Sequence, residues 1–339
     1  MTVHLDRIPA PRRETAAAAL SAAFGSQPLT AIQPVLGGGS GALAYRVEVG
    51  GRLYLLRLES GRVALRNPHQ YTCMQTAADA GIAPPLRYAD ATRGAAIMDF
   101  LPQRSLQTYP GGPARLLGDL GSLTGRLQAT PTFPYVGDYP VVLDRMLERL
   151  RKSGGFAAGL LDPHAENFAR LRAAYRWDAA TLVSSHNDPN PGNILYDGER
   201  LWLIDWETAF RNDPLVDIAI FAENFAATEE LEVALLEAWG GQPPSRELRA
   251  RLTLMRAMTR LYYAALIFSG VGAAQGSAPI ADLHAPTREQ FWADAAAGKY
   301  KASDPRTIQT LGMIYLATFL ESVTAPGFEE ALEIVRPHR

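Results

Sequence analysis

The 339 residues suffice for two domains or for one large two-lobed unit with a full core. With 33 Lys and Arg against 35 Asp and Glu, the net charge of -2 argues against a nucleic-acid binder, which shows a basic excess or stripe. The single cysteine, Cys73, excludes an internal disulfide and a cysteine-based zinc cluster, and no apolar run approaches the roughly eighteen residues of a membrane span. Asp6 and Glu14 precede the apolar stretch at 16–23, which reads as part of a helix over 11–24 and not as a signal peptide. The expected compartment is the cytoplasm, and no membrane or nucleic-acid partner is expected.

After that helix the hydrophobic period changes to two. Residues 31–36, 42–49 and 52–58 are short runs rich in β-branched and aromatic residues, broken by Gly37 to Gly41 and by Gly50-Gly51, and they predict a β-meander. Residues 68–80 read as a helix stopped by Gly81 and Pro84, and 86–89 and 95–100 add two more strands. The first hundred residues therefore predict a five-stranded sheet with one helix laid in the middle. The glycine run would let backbone N–H groups approach phosphates with no Cβ in the way, although an ordinary turn has the same composition. It is not a Walker loop, because no Gly-Lys-Ser/Thr follows. From residue 113 onward the spacing becomes helical, with segments at 113–129, 140–152, 162–176, 214–225, 229–239, 247–268, 286–297 and 304–322. Cys73 fits a small buried apolar residue on its helix.

Between the helical segments lies SHNDPNPGNILYDGERLWLIDWETAFRNDPLVDI, from Ser185 to Ile218. His186, Asp188 and Asn193 form the pattern H-x-D-x-x-x-x-N. A kinase needs one carboxylate facing the acceptor hydroxyl and oxygen ligands facing Mg2+ on the ATP phosphates, and one loop can supply both directions. In this reading Asp188 takes the hydroxyl proton and Asn193 reaches the metal through its amide oxygen. Pro189, Pro191 and Gly192 restrict the loop between them. Two apolar runs follow, joined at Asp197-Gly198, a strong hairpin signal that returns Asp205 beside Asn193 as a second metal ligand. A plain surface turn would use the same residue types, but not the hairpin and the carboxylate behind it.

HNDPNPGN, LIDWE and NDPLVDIA together resemble the aminoglycoside phosphotransferase and choline kinase superfamily, and RNDPLVDIA is closest to bacterial choline kinase-like members. The resemblance implies an α+β, two-lobed protein kinase-like fold, with a small antiparallel β-lobe over residues 1–102 and a larger, mainly helical lobe over 103–339. It implies ATP and Mg2+ as cofactors, and a small-molecule alcohol, possibly cationic, as partner. By the same resemblance Gly38, Gly39, Ser40 and Gly41 contact the phosphates, and Arg57 stands where a Lys usually binds them. An arginine fork serves phosphate equally well, although an edge-strand surface arginine is the plain alternative. The acidic partner of that cation falls at Gln70, which cannot neutralise a guanidinium; the pair is a hydrogen bond, or the register differs, or the site is degenerate. Asp99, Phe100 and Leu101, ahead of Pro102, correspond to the hinge whose backbone binds adenine.

His186 becomes a loop-organising residue, and Asp217 anchors the loop to the following helix or orients the catalytic segment. For the acceptor, the resemblance points to late aromatics around a quaternary ammonium. Trp206, Tyr262, Tyr263 and Trp292 are the candidates, with Glu207 and Glu223 as acids, and ordinary core packing is the alternative for the rings. The expected function is thus an ATP-dependent phosphotransferase acting on choline or a related amino alcohol. An aminoglycoside or other small-alcohol kinase of the same superfamily is the alternative. A nucleotide-binding pseudokinase or regulatory module is the rival of another class.

Overall fold

Strands β1 (Leu29–Pro34), β2 (Ala42–Val49), β3 (Arg52–Glu59), β4 (Leu86–Asp90) and β5 (Ala95–Asp99) carry apolar residues at every second position, and one face of their sheet is buried accordingly. In this computed structural model, which describes residues 5–35, 42–59, 67–271, 278–301 and 304–336, the five strands form one antiparallel sheet in the order β1-β2-β3-β5-β4. Tyr45, Val47, Tyr54, Leu56, Leu58 and Ile97 turn to one side, where Ala16, Ala19 and Leu20 of helix α1 (Ala10–Phe24) close the core. Small alanines at that i, i+3, i+4 spacing bring the helix close to the sheet. The other face holds the odd positions of β3: Arg57 lies across from Ala44 of β2 and Ala96 of β5, and Leu55 across from Met98. Helix α2 (Gln70–Asp79) comes between β3 and β4 in sequence, as expected, and starts two residues later than its spacing predicts.

The chain divides into two compact units: Met1–Val136 with Leu182–Asp217 and Asn224–Pro243, and Gly137–Thr181 with Ile218–Glu223 and Pro244–Arg339. In the first, α3 (Gly112–Gln128) packs on α7 (Glu229–Gly240) so tightly that a Cβ on Gly121 would stand 2.7 Å from the Leu235 carbonyl oxygen. The same unit contains β6 (Val183–Ser185), β7 (Ile194–Tyr196), β8 (Leu201–Leu203) and β9 (Phe210–Asn212), in pairs β6-β9 and β7-β8. The β6-β9 pair is too short to announce itself in a hydrophobic pattern. Helix α6 (Leu215–Phe225) follows β9.

In the second unit α8 (Arg246–Val271) is the central helix, in contact with α4 (Tyr139–Lys152), α10 (Pro305–Thr324) and α11 (Pro326–Val335). Gly312 lets α10 approach Phe268, whose ring would meet an added Cβ at 2.7 Å. His164 of α5 (Asp162–Ala174) is fully buried, bonded to the Leu316 carbonyl at 3.2 Å and stacked on Phe319. The short α9 (Arg288–Ala296) begins at a Thr287 cap. Among the described residues no single helix is long and apolar enough to cross a membrane.

Candidate active site

The sheet face opposite α1 lines a cleft of about 570 Å3 together with α2, the residues after β5 and the loop after β6. Strand alternation decides what it presents: Ala42, Ala44, Leu55, Arg57 and Met98 line it, and all lie on one side of the pleat. The small cross-strand neighbours Ala44 and Ala96 leave room for the Arg57 side chain to reach forward. Its Nη2 donates to Asp205 Oδ1 at 2.7 Å and to Glu207 Oε2 at 3.1 Å, with 10% of the side chain exposed. The expected pairing with Gln70 is therefore replaced. Gln70 Nε2 donates instead to Glu59 at 2.5 Å, where Tyr71 also donates, and the α2 residue on the cleft is Met74, one turn later. The carboxylates that hold this arginine come from the IDWE segment.

The loop after β6 is built by local chemistry. Asp197 Oδ1 accepts the N–H groups of Glu199 and Arg200, closing the turn between β7 and β8, and Gly198 there takes a φ of 107°. The hairpin lays the Ile204 N–H on the Asn193 carbonyl at 3.0 Å, so Asp205, twelve positions on in sequence, stands next to Asn193 as its spacing predicts. Asn193 Nδ2 donates to the Asp188 carbonyl at 2.9 Å and to Asp188 Oδ2 at 3.2 Å. With both amide hydrogens turned to Asp188, the Asn193 Oδ1 faces the other way. Asp188, Asn193 and Asp205 all line the cleft.

Several buried polar residues hold this loop. Asp217, 1% exposed at the start of α6, accepts the N–H of His186 and of Asn187, each at 2.8 Å. Burial raises the affinity of its carboxyl for a proton, opposed by the His186 charge and these two N–H bonds. Asn187 has φ 64°, one of two non-glycine residues with positive φ among the described residues, the other being Asp205 at 66°. Asparagine tolerates this region because its side chain bonds locally. Here Nδ2 donates to the carbonyls of Thr208 and Phe210, and Oδ1 accepts from Asn212 at 2.6 Å. Backbone in this sparsely populated region is held at Asn187 by these surrounding contacts, as is usual where side chains must be aimed. His186 Nε2–H donates to the Ile204 carbonyl at 2.8 Å, and its ring packs 4.6 Å from Trp206. It bridges the loop to the hairpin and is not placed as a base. Asn187, Asn190 and Asn212 are missing from the sequence reading, since asparagine in a loop reads as turn chemistry whatever else it does.

The segment after β5 takes over where the sheet ends. Asp99 and Phe100 spend their N–H groups on the carbonyls of Pro85 and Leu53, and the Asp99 carboxylate forms a two-pronged pair with Arg87 at 2.6 Å. The Leu101 N–H makes no hydrogen bond among the described residues, and Pro102 beyond it has none to give. Of the three expected hinge residues, Leu101 thus keeps a backbone donor at the cleft. Gly38, Gly39, Ser40 and Gly41 lie outside the described residues.

Asn193 Oδ1 and the Asp205 and Glu207 carboxylates are hard oxygen donors of the kind Mg2+ takes, and they fit that ion's habit of keeping one or two protein ligands beside phosphate and water. Among the described residues no group of three or more His, Cys, Asp or Glu forms a metal site of its own. The donor set suits a metal that arrives with a nucleotide.

Of the expected acceptor residues, Trp206 and Glu207 line the cleft. Trp206 is nevertheless only 1% exposed, with its indole N–H on the Leu203 carbonyl and its ring against His186 and Phe133. Tyr262 is 8% exposed and packs on Tyr139 at 4.5 Å. Tyr263 stacks on Tyr315, and Trp292 stands 52% exposed beside Phe291. Glu223 receives three arginines, with Arg256 at 3.2 Å, Arg260 at 2.7 Å and Arg288 at 2.7 Å. Burial favours its neutral form, but the guanidinium charges, Arg260 foremost, outweigh that and hold the carboxyl below the usual range. An acid so neutralised offers little to a cationic substrate. Glu207 is the expected acid that lines the cleft, and it is shared with Arg57.

A five-stranded antiparallel sheet with one inserted helix, followed by helices, an H-x-D-x-x-x-x-N loop and a hairpin ending in Asp, is the layout of a protein kinase-like α+β fold. A model described as the phosphotransferase enzyme family matches residues 32–252, more than half of the chain, and the chain belongs to that family. A choline/ethanolamine kinase family protein from Mesorhizobium loti superposes with a TM-score of 0.63 at 22% identity, over 95% of this chain and 98% of that one. Choline kinase LicA from Streptococcus pneumoniae gives 0.61 at 15%, over 91% and 100%. At such identities the likeness is one of fold. Among curated relatives, Protein LicA of Haemophilus influenzae is 44% identical over 61 residues, 18% of this chain and 23% of its own length, so this match spans about a quarter of that relative.

Proposed function

We propose that this chain transfers the γ-phosphoryl group of ATP, bound with Mg2+, to a hydroxyl of a small molecule. The observation that carries this reading is one constellation: Asp188 bonded to Asn193 at 3.2 Å, and Asp205 set beside Asn193 by the Ile204 N–H, with Arg57 on Asp205 at 2.7 Å. Asp188 takes the proton of the attacking hydroxyl. Asn193 and Asp205 hold the metal, Arg57 the phosphates, and Leu101 the adenine edge through its N–H. Because the transferring group is loosely bonded in the transition state, alignment and charge neutralisation supply most of the acceleration. Residues 1–102 serve as the nucleotide lobe and 103–339 as the lobe of catalysis and acceptor binding, in a cytoplasmic enzyme.

Choline or a related amino alcohol is the acceptor class we favour. Its support is the 61-residue likeness to Protein LicA and the choline and ethanolamine kinases among the structural neighbours. Glu207, on the cleft and shared with Arg57, is the expected acid nearest such a substrate's charge in this reading. The test measures ATP consumption against choline, ethanolamine, aminoglycosides and sugars. Asp188→Ala should remain folded and lose about a thousandfold in turnover, the scale of a lost general base, and Asp205→Ala should remain folded and lose most turnover with its proposed metal ligand. Wild-type turnover in either removes the phosphotransfer reading, and indifference to every amino alcohol removes the acceptor.

A further inference from the structure

Asn190, between Pro189 and Pro191, donates from Nδ2 to Asp188 Oδ1 at 2.9 Å, while its own Oδ1 accepts the Gly192 N–H at 2.8 Å. The second bond settles which way the amide faces. With its oxygen on an N–H donor, Nδ2 has to point to Asp188, and the reverse setting would oppose donor to donor and oxygen to carboxylate. Gly192 makes this possible, since a Cβ there would lie 3.1 Å from the Asn190 oxygen, tighter than ordinary contact. The flanking prolines hold φ on both sides. Asn190 is also on the lining of the cleft.

The consequence concerns the aim of the Asp188 carboxylate. The last torsion of an aspartate is broad and roughly two-fold, so one hydrogen bond leaves the group free to swing. Asp188 has a donor on each oxygen, Asn190 on Oδ1 and Asn193 on Oδ2. Two donors on opposite oxygens fix the plane of the carboxylate, and one of the two, Asn193, is also the proposed metal ligand. Asn190 completes the clamp from the other side.

We infer that Asn190 is a positioning residue for phosphoryl transfer, holding the plane of the Asp188 carboxylate through Nδ2, and that its cap on Gly192 serves to aim that amide. The inference rests on Asp188 as the base. Its plain rival is that Asn190 only closes the Pro191–Asn193 turn.

Three substitutions separate the two roles. Asn190→Asp keeps an acceptor for the Gly192 N–H and puts a second carboxylate where the donor to Asp188 stood; Asn190→Ser keeps an acceptor and leaves only a hydroxyl donor on a side chain one bond shorter; Asn190→Gln keeps an amide donor on a longer arm and gives up the cap. Each is purified as the full chain and compared with wild type in Tm, kcat and KM for ATP, with the best acceptor from the screen. A misplaced group costs about a hundredfold per ångström, so Asn190→Asp and Asn190→Ser should lose about 10- to 100-fold in kcat, with Tm and KM for ATP near wild type. Asn190→Gln should recover part of the loss. If the Asp and Ser variants turn over within about threefold of wild type, or if Gln is the worst of the three, Asn190 is a turn residue and the inference falls. Asp188→Asn is assayed alongside: full activity there defeats the base assignment itself, whereas an inactive Asp188→Asn with active Asn190 variants defeats the present inference alone.

Discussion

Replacing Arg57 by Met tests whether the IDWE carboxylates have taken over the task of orienting the cation proposed to bind phosphate. The guanidinium is 10% exposed and gives one bond to Asp205 at 2.7 Å and another to Glu207 at 3.1 Å, whose side chains are 23% and 25% exposed. Methionine fills a similar volume but removes the positive charge between the two acids. Breaking a fully buried pair costs about 3–5 kcal/mol. With both carboxylates a quarter exposed, solvent screens much of this, and a loss of about 1–2 kcal/mol in stability is expected. The loss in catalysis is larger, because the fork that would meet the α- and β-phosphates is gone. Two charge-assisted bonds of about 1.5–3 kcal/mol each imply a fall of some 10²- to 10⁴-fold in kcat/KM for ATP. Arg57→Lys keeps the charge without the planar fork and should lose roughly tenfold. Urea denaturation gives the stability difference, and initial rates over a range of ATP concentrations give the other. The reasoning is refuted by an Arg57→Met protein with kcat/KM for ATP within threefold of wild type, or by one whose kcat/KM is lost while Gln70→Ala loses it equally, since Gln70 is committed to Glu59.

Other consequences can be checked one by one. Burial lowers His164 from 6.5 to about 4, against a smaller opposing effect of the Leu316 carbonyl bond. The unfolded chain therefore binds more protons between those values, so stability is complete above about pH 6.5 and declines as pH falls towards 4, by roughly 3 kcal/mol from this group. His164→Phe should flatten that part of a urea-midpoint profile; an unchanged slope would remove His164 as its source. Gly121→Ala pushes a Cβ to 2.7 Å from the Leu235 carbonyl oxygen and 3.1 Å from the Trp239 nitrogen, both backbone, and should cost about 1–3 kcal/mol. Gly118→Ala, on the same helix, meets only the Ala238 Cβ at 3.9 Å and should stabilise by about 0.5–1 kcal/mol. Equal effects from the two would contradict the close approach of α3 and α7. Burial, opposed by a bond from Asn67, pushes the Cys73 thiol up to about 12, so a thiol reagent at pH 8 should leave the native protein unmodified and label it on unfolding.

The legible parts of this protein share a physical reason. Strand alternation, the Asp-Gly turn and the loop spacing from His186 to Asn193 act over a few residues, and each leaves a short-range mark in the chain. The five strands, the hairpin that sets Asp205 beside Asn193, and the burial of Cys73 could therefore be read directly. A family likeness located Arg57, yet its partner was misjudged. Counting along α2 reached Gln70, while the acids that hold Arg57 lie 148 and 150 positions away.

Polarity was the wrong guide for other side chains. Trp206 and Tyr262 look alike in sequence whether they line a substrate pocket or a core; both are buried, Trp206 on the lining of the cleft and Tyr262 against Tyr139. Glu223 looked like an acid for a cation, and three arginines from α8 and α9 hold it instead.

The sequence by itself pointed to the class of chemistry, because the proposed base, the proposed metal-ligating amide and a carboxylate returned by a hairpin depend on spacing within twenty residues. Only the tertiary structure decided which charges meet and which way an amide faces. Arg57 chose among several acids by reach across the cleft, and Asn190 was aimed by a bond to Gly192 whose meaning depends on where Asp188 stands. Hydrogen bonds and ion pairs are selected by distance and direction in space, and those are set by packing between segments far apart in the chain.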